Sequence, residues 1–177
     1  MHPIMQALHE DHVNVARLLE LIEEALHHTS RGDLSRLDLA HQAMRYMTAY
    51  PDIYHHPTED IVFAALVRRA PETRQIVDQL SAEHELLGSS GTQFLSLLTE
   101  ARAGIPESLP ATGAAYVDTL RAHMNIEEGR VFPIIKVVFG HHDWDTLNEQ
   151  LEIARDPLFG PQLKSSYQQL ARALTDR

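Results

Sequence analysis

The stretch Met5–Leu26, MQALHEDHVNVARLLELIEEAL, decides the fold class. Its apolar residues Met5, Leu8, Val15, Leu19, Ile22 and Leu26 are spaced in steps of three and four around a gap at position 12. That period belongs to an amphipathic helix with one buried seam. At position 12 the seam calls for an apolar side chain, and the sequence supplies His12.

The same seam returns 72 residues later: Met5 overlays Val77, Leu8 Leu80, Val15 Leu87, Ile22 Phe94 and Leu26 Leu98. His12 then falls on His84. Between and after these segments lie two more helical stretches, about Leu34–Arg69 with kinks expected at Pro51 and Pro57, and about Ala114–Phe139 through Pro133. These two also repeat. His55 and Glu59 are four residues apart, as are His123 and Glu127, so each pair projects from one helix face one turn apart. Overlaying His55 on His123 is expected to place Phe63 on Val131 and Leu66 on Ile134.

Breaks fall at TSRGD (29–33), at APETR (70–74), where Pro71 suits a helix start, and at RAGIPESLPATG (102–113). No sustained period-two pattern or hairpin dipeptide is present. The expectation is an all-α fold: an up-down four-helix bundle over residues 1–140, with two short additional helices in a C-terminal appendage, 141–177, packed on it. Those helices are read at DTLNEQLEIAR (145–155) and QLKSSYQQLARAL (162–174). Trp144 and Phe159 would either cover a bundle end or form an oligomer surface, such as that of a homodimer.

Composition narrows the chemistry. The 177 residues, 44% hydrophobic, suffice for one substantial core. A net charge of -10 without a basic cluster argues against nucleic acid and anionic membranes as partners. No leader or membrane-length apolar run is evident, so a cytoplasmic protein is the default expectation. With no cysteine, any metal must use nitrogen and oxygen ligands. Against that background, 12 histidines beside 5 phenylalanines is an unusual count.

A lone histidine on an apolar face is ordinarily a satisfied core residue, and one His-x3-Glu is a common surface pair. Four helices each aiming imidazole or carboxylate into one seam are different. Without partners, each such group would cost about 1–3 kcal/mol on burial. Four imidazoles and two carboxylates exceed a tetrahedral zinc site and carry too much nitrogen for magnesium or calcium. Two first-row ions bridged by Glu59 and Glu127 fit better, with iron preferred and manganese or zinc open.

The motifs EDH in the first helix, HHPTEDIVF in the second, AEH in the third and HMNIEEGRVFP in the fourth resemble those of the hemerythrin-like family with the HHE cation-binding domain. The resemblance covers about residues 1–140. It implies a non-haem di-iron centre, oxo- or hydroxo-bridged, with His12, His55, Glu59, His84, His123 and Glu127 as metal ligands. It also implies a small diatomic ligand or peroxide as partner, in carriage, sensing or defence. Oxygen-carrying members have a further histidine one turn after His84. Here that position is Gly88, which favours sensing or oxidative chemistry over carriage and leaves a place for water, His9 or a tyrosine.

Among the neighbours, His56 with Asp60 repeats the four-residue spacing but is expected about 100° from His55, as a supporting or surface residue. Glu128 should point away from the seam, and Tyr116 should share the face of His123. His27, His28, His41, His141 and His142 are read at helix ends, where a C-terminal dipole favours them, or outside the repeat, and are assigned no function. Two other readings compete. A ferritin-like di-iron oxidoreductase would carry Glu-x-x-His, found only at Glu24–His27. A metal-free bundle with a histidine pH switch leaves the matched carboxylates unexplained.

Overall fold

Pro3 has no N–H to leave unsatisfied at a first helical position, and His2 Nδ1 accepts the Ile4 N–H at 3.3 Å, so the chain enters a helix almost at once. In the computed structural model, which describes residues 1–151 and 156–175, this is α1, Pro3–Ser30. It ends at Gly32, whose φ of 79° turns the chain where an L side chain would be strained. There follow α2 (Leu37–Met47), α3 (His56–Arg69), α4 (Arg74–Glu100), α5 (Leu109–Ile126), α6 (Phe132–Val138), α7 (His141–Gln150) and α8 (Gln168–Thr175). All regular secondary structure among the described residues is helical, without a strand.

Both expected interruptions take one form. Pro51–His55 and Glu127–Val131 are π turns, closed by N–H to C=O bonds over five residues, from His56 to Pro51 and from Phe132 to Glu127. Each turn stops just short of a proline, Pro57 or Pro133. A proline cannot donate to the carbonyl four residues back and its ring crowds that carbonyl, so the turn ahead of it widens. The second segment breaks at Thr48 and Ala49, just ahead of the expected kink at Pro51, and Pro57 sits in the first turn of α3.

The π turn at Glu127–Val131 changes the internal register. EDIVF (59–63) and EEGRVF (127–132) differ by one inserted residue, so Val62 corresponds to Val131, Phe63 to Phe132 and Leu66 to Ile135. All six are buried without measurable exposure, whereas Ile134 is only half-buried. The expected overlays of Phe63 on Val131 and of Leu66 on Ile134 are thus one residue out.

Other boundaries shift as well. The expected loop 102–113 ends early: α5 starts at Leu109, with Pro110 in its first turn. Helix α7 starts at His141, where the Asp143 carboxylate accepts the Gly140 N–H at 2.9 Å. His141 and His142 thus open a helix rather than close one. The last helix begins only at Gln168, after a short 3-10 turn at Ser165–Tyr167. Part of the expected helix 145–155 lies outside the described residues.

Helix α1 packs on α2 and α5, α4 packs on α5, α2 and α3, and α3 meets α6 and α7. The seam residues Met5, Leu8, Val15, Ile22, Val77, Leu80, Leu87, Phe94 and Leu98 are all buried. They divide into two apolar clusters. One joins the C-terminal halves of α1 and α4 to α2, α5 and α8; the other joins their N-terminal ends to α3, α6 and α7. His12 lies between Leu8 in one cluster and Val15 in the other, and His84 between Leu80 and Leu87. A polar layer thus separates two oily ones. Trp144 stacks on His2 at 4.1 Å and meets Phe139, while Phe159 packs edge-on against Tyr46. Trp144 thus lies over the start of α1, whereas Phe159 lies along its side, with the Arg17 guanidinium over its ring.

Candidate metal centre

Two glutamates in the middle layer have no exposed surface at all, Glu59 on α3 and Glu127 at the start of the second π turn. Four histidines surround them: His12 from α1, His55 from the first π turn, His84 from α4 and His123 from α5. All six residues expected from the sequence come together.

The contacts divide by oxygen atom. Glu59 Oε1 lies 3.4 Å from His12 Nε2 and 3.3 Å from His55 Nε2, while Glu59 Oε2 faces His84 Nε2 at 3.5 Å. Glu127 mirrors this: Oε1 lies 3.5 Å from His84 Nε2 and 3.1 Å from His123 Nε2, and Oε2 lies 3.3 Å from His12 Nε2.

Each imidazole is held from behind. His55 Nδ1 meets Asp11 at 3.0 Å, His123 Nδ1 meets Glu83 at 2.8 Å, His84 Nδ1 meets Asp60 at 3.1 Å and His12 Nδ1 meets Glu128 at 2.9 Å. An ionised carboxylate only accepts, so each Nδ1 carries a proton and each Nε2 is the ring nitrogen turned inward. These supports obey the internal repeat, since Asp11 corresponds to Glu83 and Asp60 to Glu128. One shell further out, Ser81 donates to Asp60 at 2.9 Å where His9 donates to Glu128 at 2.9 Å. Phe132 lies parallel to His12 and Phe63 nearly parallel to His84, completing the two-fold correspondence.

This arrangement corrects two expectations, for Glu128 and Asp60, and selects the supporting alternative for His9 and His56. Glu128 does not point away: entry into the π turn swings it onto His12 and His9. Asp60 supports His84, not His56. His9 is half-exposed and braces Glu128, so it does not enter the inner layer. His56 is 8% exposed rather than a surface group; its ring stacks on His84 at 4.4 Å, with Nδ1 3.4 Å from Asp52. The extra residue in the first π turn lets neighbouring positions 55 and 56 both face the layer. Sequence reasoning passed over Asp11, Asp52, Asp60 and Glu83 as supports, although EDH and AEH place an acid directly before each seam histidine. Glu24 pairs with Arg36 and His28 at the other end of α1, far from the glutamates in sequence and fold, so the Glu24–His27 spacing belongs to no such centre.

Electrostatics test whether these groups can stand alone. Burial disfavours charge on every one of them, yet mutual attraction overrides it. Burial opposes the His55 cation, but Glu59 and Asp11 push it up to about 9, and His84 rises to about 11 against the same opposition. His12 and His123 move upward for the same reason. Glu59 is held well below the usual carboxylate range, and Glu127 falls to about 2 despite burial and the nearby Glu59. Burial lowers His56. The cluster therefore demands positive charge at its centre.

The inward atoms are compatible with a metal ion. Among the described residues, both oxygens of Glu59, both of Glu127 and the Nε2 atoms of His84 and His123 are buried without an aligned hydrogen bond. Donors each about 2.1 Å from one ion lie roughly 3 Å from one another, close to the 3.1–3.5 Å spacings seen. Among the described residues, the donors that could share an ion form three groups: His12, His55 and Glu59; Glu59, His84, His123 and Glu127; and His56, His84 and His123.

Beside these groups is a cavity of about 10 Å³ lined by Val15, Met47, Tyr116, Leu120 and Met124 together with His55, His56, His123 and Glu127. It has room for about one water-sized molecule. Tyr116 lines it as expected, its phenol kept protonated by burial.

The family model of the Hemerythrin HHE cation binding domain matches residues 4–135, which contain every residue of the central layer. No curated protein matches the chain. No helix among the described residues is long and apolar enough to cross a membrane.

Proposed function

The chain belongs to the hemerythrin HHE cation-binding family, and from that premise we propose that it holds two iron ions at the centre of an up-down four-helix bundle. In that reading α2 with α3, and α5 with α6, are two kinked columns beside α1 and α4. The site serves a small diatomic ligand or peroxide, in sensing or in defence against oxidative or iron stress.

The observation that carries this reading is the division of the carboxylate oxygens. Each glutamate turns one oxygen to the His12–His55 side and the other to the His84 side. Oxygens turned to opposite sides suit two ions that share the glutamates: His12 and His55 would hold one ion and His84 and His123 the other, with Glu59 and Glu127 contributing to both. Mixed imidazole and carboxylate ligation suits iron, which when bound supplies reversible ligand and electron chemistry.

The chain's own residues do the rest. Asp11, Glu83, Asp60 and Glu128 fix the tautomer and plane of each imidazole and raise its basicity. Val15, Met47, Leu120 and Met124 line the small cavity with apolar surface, which excludes bulk water and admits only a ligand of a few atoms. Manganese or zinc in the same donors, or a ferritin-like oxidase activity, are the alternatives the test separates. Purified chain from iron-replete medium is expected to carry two irons, with an absorption band that changes on adding azide or peroxide. Less than one metal per chain overturns the reading; two metals with no response to either ligand overturn the ligand role.

A further inference from the structure

Four of the five tyrosines form one continuous line. Tyr46, Tyr50 and Tyr54 stand four residues apart on the column that leads into His55. Their rings follow one another at 5.8 and 5.7 Å between centroids. Tyr167, from the turn ahead of α8, meets Tyr46 edge-on at 5.9 Å. The line runs inward from the surface: Tyr54 is 49% exposed, Tyr50 9% and Tyr46 1%. The other half has no such run, since α5 carries Tyr116 alone.

The line meets the centre at Tyr50. With Tyr54, Asp11 and His55 it lines a groove of about 160 Å³, and Asp11 is the carboxylate that holds His55 Nδ1 at 3.0 Å. Packing alone asks for no hydroxyl in this row, because phenylalanine fills such space without a polar group to satisfy. Yet the innermost ring, Tyr46, donates its O–H to Asp156 Oδ2 at 2.8 Å. Asp156 is itself fixed, its other oxygen accepting the Leu158 and Phe159 N–H groups at 2.7 and 2.8 Å. Burial, and after it the Asp156 charge, pushes the Tyr46 phenol well above its ordinary range, so it does not simply ionise. It can release that proton on losing an electron, because an oxidised phenol is a strong acid and a carboxylate already stands at the hydrogen. With no cysteine in the chain, and with its one tryptophan stacked on His2, the tyrosines are the oxidisable row beside the centre.

We propose that Tyr54, Tyr50 and Tyr46 carry electrons one at a time between the surface and the metal-bearing layer, with Asp156 as the proton acceptor of Tyr46. This rests on the iron and peroxide reading above. Peroxide is the oxidant, and a small soluble phenol or ascorbate is the reductant. Each transfer takes one electron from Tyr46 through Tyr50 to the layer, breaks the Tyr46 O–H bond and forms an O–H bond on Asp156, leaving a neutral phenoxyl radical. Two such transfers, with two protons from solvent, convert one peroxide into two waters. The external donor refills Tyr46 by way of the exposed Tyr54 and releases its own proton to solvent, and Asp156 returns its proton to Tyr46.

The test mixes iron-loaded full chain with hydrogen peroxide, freezes it and reads the electron paramagnetic resonance spectrum, with metal content and absorption measured on the same sample. A tyrosyl doublet is expected, lost in Tyr46→Phe, reduced in yield in Asp156→Asn and retained in Tyr116→Phe. Tyr54→Phe should keep the doublet but slow its decay when ascorbate is added. Ring-deuterated tyrosine should narrow the wild-type signal; absence of narrowing overturns the relay even if Tyr46→Phe fails to fold. An absorption change with no tyrosyl signal, or a signal untouched by Tyr46→Phe, overturns the relay and leaves the peroxide reading standing. Absent metal or an unchanged absorption overturns the peroxide reading instead. The relay is then decided on chelated full chain with flash-excited ruthenium tris-bipyridine and persulfate as the one-electron oxidant: a doublet lost in Tyr46→Phe supports it, and one unaffected by that change overturns it.

Discussion

His12 and His55 face each other Nε2 to Nε2 at 3.1 Å, although each already commits its other ring proton to a carboxylate. Two lone pairs at that distance repel unless a cation lies between them. Either a proton or a metal ion satisfies the pair, and the two compete.

That competition sets a pH dependence. With metal removed by chelation, the raised His55 contributes stability that is full below about pH 6.5 and is lost as pH rises through about 9. The depressed Glu127 contributes stability present above about pH 4.5 and lost as pH falls through about 2. Metal binding needs the imidazoles neutral, so its contribution grows in the opposite direction. The difference in Tm between metal-loaded and chelated protein is expected to widen from about pH 6.5 to about 9. A constant or shrinking difference in thermal unfolding would show that protons do not compete with the ion.

Replacing an inner carboxylate should be severe. Glu127→Ala takes from His123 the inward carboxylate it faces and leaves His12 and His84 with Glu59 alone of the two. Unpairing buried charge costs about 3–5 kcal/mol, so most bound metal should vanish and the denaturation midpoint should fall. His123→Ala is expected to behave alike. Metal content by elemental analysis, with urea unfolding, checks both variants.

The outer carboxylates should be milder and matched. Asp11→Asn and Glu83→Gln occupy corresponding places behind His55 and His123, and each should weaken metal binding about 10–100-fold while the fold survives. Competition titration against a chelator measures this. Equal effects follow from the internal correspondence; one null result would break it.

A packing prediction is independent of metal. Gly113 on α5 sits against α1 and α4, where an added Cβ would come within 2.7 Å of Leu26 and 2.8 Å of Phe94. Gly113→Ala is therefore expected to destabilise by about 1–3 kcal/mol through overpacking. Thermal unfolding of chelated protein should show the loss undiminished.

Much of this was legible without coordinates. The three-and-four spacing around His12 and its return around His84 specify helices and one buried face, because period alone determines which side chains share a side. The paired His-x3-Glu motifs identify four of the six inner residues for the same reason, and the interrupted seam supplies His12 and His84. The insertion that distinguishes EEGRVF from EDIVF was also present in the letters, but its meaning was not. Only a π turn, forced where Pro133 denies the regular hydrogen bond, shifts Phe132 onto the place of Phe63 and brings Glu128 to His12.

The sequence by itself determined the helical class, the two halves of the centre and the family to which they belong, since all three depend on spacing within single helices. The tertiary structure alone decided which acid stands behind which histidine and that His56 faces inward. Those relations cross from one helix to another: Asp11 reaches His55, Asp60 reaches His84, and Asp52 lies over Gly88. They depend on where wide turns rotate the chain and on which helices touch, and no period along one segment carries that information.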